Sequence, residues 1–133
     1  MLWNESLKTG VRHLDDCNKE LLDRIDALMK AEDAHLVNEL LDWIEAYATR
    51  HFAEEQELHA AYGYPKAAAH KRLHECYMVI FQRLKRHCLT EGLTLPNVMS
   101  LNRNVVEGLR KHIAEHDRDF AEFYKRLPEE AAG

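Results

Sequence analysis

The chain has 133 residues and a formal charge of −5, which suits one domain with its own core and argues against a nucleic-acid or anionic-membrane surface. No stretch approaches the roughly 20 apolar residues of a membrane span, and the first residues lack the basic start and apolar run of a signal peptide. We therefore expect a single cytoplasmic domain over residues 1–133, with neither nucleic acid nor membrane as a partner.

Four helices are predicted, because long segments with helical periodicity lie between the few Gly and Pro residues. They cover residues of about 11–30, 34–61, 65–88 and 97–125. Pro65 suits the first position of the third helix. Leu36 in the second helix and Leu73 in the third are predicted to face the core. Helices of this length joined by short turns predict an all-α, up-down-up-down antiparallel four-helix bundle. The tail after Pro128 is expected to fray.

Three of the predicted helices each carry two side chains with metal-ligand chemistry on the apolar face. In chain order the six are His51, Glu55, His70, His74, His112 and Asp117. Residues four apart, as in the first two pairs, stack on one face of a helix. Burying so many ionisable groups without compensation is costly, and a metal ion bound by imidazoles and carboxylates removes that cost. The alternative is a hydrogen-bonded polar network without metal.

The candidate ligands also indicate which metals suit the site. Imidazoles mixed with carboxylates favour iron, manganese or zinc over copper(I). Two carboxylates among four histidines indicate bridging and hence two ions, and carboxylate-bridged di-iron sites occur in bundle cores. The three cysteines have no CxxC spacing, so a thiolate zinc site is not indicated. The spacing of the ligands alone leaves zinc open.

The motifs resemble those of hemerythrins, in particular the bacterial ones. HFAEE, YGYPKAAAHKRLH and HIAEHD give HxxxE, HxxxH and HxxxxD in that order, with a Tyr-Gly-Tyr-Pro turn between the first two. The likeness runs from Trp3 to about Tyr124 and implies a non-haem di-iron centre that reversibly binds dioxygen. It assigns the six residues in three groups: His70, His74 and His112 to one iron, Glu55 and Asp117 as bridges, and His51 to the second iron.

The chain departs from the hemerythrin pattern around the second iron. The family has a histidine from the first helix at the position of Asn18, whose amide oxygen is a weaker ligand for iron. Three other pocket positions also differ from the family: Tyr77 is at a position that is commonly Phe, Gly108 at one that is commonly Trp, and His59 at one that is commonly Met. One hypothesis is that Tyr77 fills the room at Gly108 and ligates the second iron or donates to a bound oxygen species. The alternative is a site that holds one metal, with Tyr77 merely packing.

Two further histidines are candidates near the site. His59 lies one turn after Glu55, and His116 lies four residues after His112 on the inward face of the fourth helix. Each is a candidate for an additional ligand or for a hydrogen-bond partner of a ligand.

Three functions are compatible with this site. The first expectation is binding of dioxygen, or of nitric oxide, for carriage, storage or sensing, without catalytic residues. An enzyme that turns over peroxide or oxygen is the second, because an iron with fewer protein ligands has more open positions. The third is iron handling. The expected cofactor is iron, as two ions, and the sequence does not identify a protein partner.

Overall fold

The computed structural model describes residues 2–128, so the expected fraying after Pro128 lies outside the described residues. A short 3-10 turn, Glu5–Leu7, precedes four long helical runs, which we call α1 to α4. The first three are α1 (Arg12–Lys30), α2 (Ala34–Ala61) and α3 (Ala67–Glu91). The fourth, α4, consists of five consecutive segments: Leu95–Ser100, Leu101–Val106, Glu107–His112, Ile113–Asp117 and Arg118–Lys125.

The four runs close into the predicted bundle. α1 packs on α2, α2 on α3, α3 on α4, and α4 returns to α1, so the short connections give the up-down-up-down order. Within residues 2–128 there is no strand. Over the same range, none of the helices combines the length and the apolar character needed to cross a membrane.

Local sequence explains where α2 begins and where α3 begins and ends. Asp33 accepts hydrogen bonds from the backbone N–H groups of His35 and Leu36, at 2.7 and 3.2 Å, and so caps α2. α3 begins at Ala67 rather than at the predicted Pro65, because the Ala67 N–H closes a turn on the Tyr64 carbonyl at 3.1 Å. Gly92, with a φ of 80°, ends α3 in the left-handed region that favours glycine.

Two predicted inward positions are wrong. Leu36 and Leu73 are 42% and 38% exposed. In α2 the buried face begins instead with Val37 and Leu40, and in α3 the side chain next to Leu73 that is buried is His74. Leu40 and His74 were themselves predicted on these faces, so Leu36 and Leu73 lie at the edges of faces that are otherwise largely as predicted.

Two segments of α4 are π-helical rather than α-helical, whereas the sequence predicted one regular helix over 97–125. In the first, Leu101–Val106, the Glu107 N–H bonds to the Asn102 carbonyl, five residues back. In the second, Ile113–Asp117, the Arg118 N–H bonds to the Ile113 carbonyl, again five back. Such insertions are rare and occur often at functional sites.

The interior consists of two apolar clusters with a polar layer between them. The larger cluster includes Leu21, Ile25 and Phe52, and the smaller one is formed by Leu14, Tyr64 and Phe120. Aromatic rings join both clusters to the polar layer. The Phe52 ring stacks on His74 with a centroid distance of 4.0 Å, and the Phe120 ring meets His59 at 4.4 Å.

Candidate metal centre

Five of the six predicted ligands meet in the polar layer. They are Glu55 from α2, His70 and His74 from α3, and His112 and Asp117 from α4. One ligand atom of each lies within 4.8 Å of the others. All five are buried, and His112 is the most accessible, with 9% of its surface exposed.

The ligand atoms are spaced like the ligands of one metal ion. Glu55 Oε1 lies 3.0 Å from the Nε2 atoms of both His70 and His74. The His112 Nε2 lies 3.0 Å from His70 Nε2 and 3.1 Å from Asp117 Oδ1. Ligands at about 2.1 Å from a metal and at right angles to one another are about 3.0 Å apart. The five residues therefore fit a single ion at their centre.

Several of the converging atoms also lack a hydrogen-bond partner. Among the described residues this holds for both carboxylate oxygens of Glu55, for Asp117 Oδ1 and for His74 Nε2. A buried polar atom without a partner costs about 1–3 kcal/mol. A cation at the centre would satisfy these four atoms together, which supports the fit of a metal to this donor set.

The charges of the cluster also favour a bound cation. Burial raises the pKa of the Glu55 carboxyl, and the negative charge of Asp117 raises it further. Burial alone would lower the pKa of His70, but the adjacent Asp117 and Glu55 outweigh burial and raise it. The two carboxylates thus attract a positive charge to their centre, which a metal ion supplies in the loaded protein.

His74 is fixed by two neighbours that the sequence analysis did not single out. Its Nδ1 lies 2.8 Å from Gln56 Oε1, and because an amide oxygen only accepts, Nδ1 carries the proton. The unprotonated Nε2 then faces the centre. The stacked Phe52 ring holds the plane of the imidazole. Gln56 follows Glu55 directly, but nothing in a single sequence distinguishes it from a solvated glutamine.

His51, the sixth predicted ligand, is not part of the five-residue cluster. Its Nε2 lies 3.1 Å from the amide oxygen of Asn18, and the Asn18 Nδ2 donates to Asp117 Oδ2 at 3.1 Å. Both His51 and Asn18 are buried. A hydrogen-bonded chain His51–Asn18–Asp117 therefore lies beside the cluster, where the resemblance implied the second iron.

Tyr77 lies next to Gly108, as predicted. A methyl group added at Gly108 would lie 3.8 Å from Tyr77 Cε2. The hydroxyl, however, donates to the backbone carbonyl of Val105 at 2.9 Å and not to the ligand cluster. Burial raises the pKa of the phenol, which disfavours a phenolate. This arrangement does not match the hypothesis that Tyr77 ligates iron.

The other two candidates, His59 and His116, lie outside the cluster. His59 is buried with its ring centroid 4.5 Å from that of His70, and neither of its ring nitrogens has a partner among the described residues. His116, predicted to face inward, is partly exposed, and its Nε2 lies 3.8 Å from Glu115. Its ring centroid lies 5.5 Å from that of His112, so His116 neighbours a cluster residue without being one of the five.

A cleft of about 320 Å³ opens beside the cluster, between α3 and α4. Its lining includes Leu73, Tyr77, Gly108 and His112. Of the five cluster residues, His112 is the one that reaches it. Because Gly108 has no side chain, the cleft is open at this point. Solvent in the cleft can therefore contact the His112 imidazole, which belongs to the cluster.

Comparison with known proteins identifies related chains. Residues 9–124 match the model of a family described as Hemerythrin HHE cation binding domain. The chain is 32% identical over 81 residues to a protein named Bacteriohemerythrin from Stenotrophomonas maltophilia (strain R551-3), covering 59% of this chain and 53% of that protein. It is 31% identical over 85 residues to the Bacteriohemerythrin of Pseudomonas paraeruginosa (strain DSM 24068 / PA7), with the same coverage. The chain thus spans about half the length of the curated relatives it matches.

Proposed function

The chain belongs to the hemerythrin family, and from this premise we propose that it is a non-haem iron protein that binds dioxygen or nitric oxide for carriage, storage or sensing. The observation that carries the proposal is the buried cluster of Glu55, His70, His74, His112 and Asp117. A cytoplasmic location remains a prediction from the composition.

The five cluster residues and the two neighbours of His74, Gln56 and Phe52, have separate roles in this proposal. The three histidines and two carboxylates hold the iron, which when bound supplies an open position for a diatomic ligand. Gln56 orients His74 through the 2.8 Å contact to its Nδ1. Phe52 stacks on His74 and joins it to the larger apolar cluster, which holds the imidazole in place.

The sequence predicts two irons, and the residues present support the two positions unequally. The first position has five converging side chains. The second would draw on His51, on the remaining oxygens of Glu55 and Asp117, and on the Asn18 amide where the family has an imidazole. The proposal of ligand binding rests on the first position, where five side chains converge.

The proposal is tested by the spectrum of the iron-loaded protein. Protein loaded with ferrous iron without air is exposed to dioxygen, or to nitric oxide, and then degassed. We expect an absorption change that reverses on degassing. His74→Ala should abolish the change, and His35→Ala, which alters an exposed histidine of the same bundle, should retain it. Failure of the wild-type protein to retain iron, or oxidation that does not reverse, contradicts the proposal.

The open cleft at Gly108 favours a second candidate, turnover of peroxide. In this reaction one peroxide is reduced to water while another is oxidised to dioxygen, so no further reactant is needed. A cleft that reaches His112 gives peroxide access that a closed pocket would deny. The test is peroxide consumption by the loaded protein compared with an equal amount of free iron. Gly108→Trp should fill the cleft and slow consumption without changing the iron content. Turnover no faster than that of free iron rejects this candidate.

A further inference from the structure

The two oxygens of Asp117 have different neighbours. Oδ1 faces the first metal position, at 3.2 Å from His70 Nε2 and 3.1 Å from His112 Nε2. Oδ2 accepts a hydrogen bond from Asn18 Nδ2 at 3.1 Å. A bridging carboxylate needs both oxygens for metal ions, and here an amide N–H already occupies the second one.

His51 is hydrogen-bonded to the same Asn18 amide. Its Nε2 lies 3.1 Å from Asn18 Oδ1. Because an amide oxygen only accepts hydrogen bonds, His51 Nε2 is the protonated nitrogen of the ring. A protonated ring nitrogen has no lone pair for a metal, so the atom that would bind the second ion is used in the hydrogen bond.

From these contacts we infer that the chain binds one metal ion, at the five-residue cluster, and that the Asn18 amide, bonded to His51 and Asp117, takes the place of the second ion. The inference deepens the proposed function and rests on the cluster being the iron site. Asn18 is thereby the residue that determines the metal stoichiometry.

The charge balance supports a single ion. One divalent cation at the first position is neutralised by Glu55 and Asp117. A second one would face His51, whose Nε2 is used in the hydrogen bond to Asn18, and the Asn18 amide, a weaker ligand than imidazole; both are buried. Uncompensated charge in a protein interior is costly. The Tyr77 phenol does not supply the missing negative charge, because its hydroxyl donates to the Val105 carbonyl.

The experiment counts metal ions per chain. Apo-protein is loaded with excess ferrous iron without air, desalted, and assayed for iron per chain. It is then oxidised and examined by electron paramagnetic resonance, in which an isolated ferric ion gives a signal and a coupled pair does not. We expect one iron and a full signal for the wild-type protein. Asn18→His should raise the count to two and abolish the signal. Lys19→His, an exposed neighbour in α1, should leave the count at one.

A second variant keeps the test decisive if Asn18→His does not fold. His51→Ala should leave the count at one, since His51 holds no ion in the native chain. Two irons in the wild-type protein, with one lost in His51→Ala, would overturn the inference while leaving the proposed function standing. A count of one in folded Asn18→His would also overturn the assignment of Asn18. Wild-type protein that retains no iron would instead overturn the proposed function.

Discussion

His112 Nε2 lies 3.1 Å from Asp117 Oδ1, although the two residues are five positions apart in one helical run. In a regular α-helix this spacing corresponds to about 140° around the axis, so the two side chains would point apart. The π-helical segment Ile113–Asp117 removes this offset, because its hydrogen bond reaches five residues back. His116, four residues after His112, lies beside it at a ring-centroid distance of 5.5 Å and is partly exposed. One extra residue in the turn therefore selects which side chain completes the site.

This selection predicts unequal effects at neighbouring positions. Asp117→Ala should weaken metal binding by more than about 100-fold, because it removes a metal ligand itself rather than a residue that hydrogen-bonds to a ligand. His116→Ala should leave the affinity unchanged, because His116 lies outside the cluster and is partly exposed. Competition with a chromophoric chelator measures both affinities. Equal losses in the two variants would mean that α4 is regular at this point and that His116 faces the metal.

Gln56 should matter for metal affinity although it is not a predicted ligand. Gln56→Ala removes the acceptor that fixes the His74 tautomer and ring orientation, and loss of such a partner typically costs about 10–100-fold in affinity. Gln82→Ala, an exposed glutamine on α3, is the matched control and should bind metal normally. The same chelator competition applies. Identical affinities for the two variants would show that His74 needs no fixed partner.

The sequence predicted the bundle, and the convergence of five polar side chains in its core, better than it predicted the details between them. The bounds of α2 agree with the prediction because Asp33 caps its start and a Tyr-Gly-Tyr-Pro turn follows its end, which are local features. The π-helical segments could not be predicted, because a single inserted residue leaves the apolar periodicity almost unchanged. The orientation of the Asn18 amide depends on His51 from α2 and Asp117 from α4, and a single chain gives no measure of such distant contacts.

Tyr77→Phe tests whether the phenol acts on the metal or on the backbone. In the structure the hydroxyl bonds to the Val105 carbonyl, beside a π-helical segment. Its removal should lower the free energy of unfolding by about 1 kcal/mol. The iron content and the visible spectrum should not change. Denaturant unfolding and elemental analysis measure these quantities. Loss of an absorption band together with unchanged stability would instead identify Tyr77 as an iron ligand.

His59 should make the metal-free protein sensitive to acid. Burial, and then the positive charge of His70, lower the pKa of His59 from 6.5 to about 4. Because the folded state binds this proton less well than the unfolded state, the contribution is fully present above about pH 6.5. It is lost as the pH falls through the window from 6.5 to 4. His74, whose pKa is also lowered by burial, contributes to the same loss.

His59→Met tests this origin of the acid sensitivity. At pH 7 the variant should be more stable than the wild-type chain by about 1–3 kcal/mol, because it removes a buried imidazole with no hydrogen-bond partner among the described residues. Between pH 6.5 and 4.5 it should also lose less stability, with the remaining loss due to the other histidines whose pKa burial lowers, namely His51, His74 and His116. Urea unfolding of the metal-free proteins across this range measures both effects. His35→Met, at an exposed position of α2, should follow the wild-type profile. If His59→Met also runs parallel to the wild-type chain, folding does not lower the pKa of His59, and the acid sensitivity comes from the other histidines.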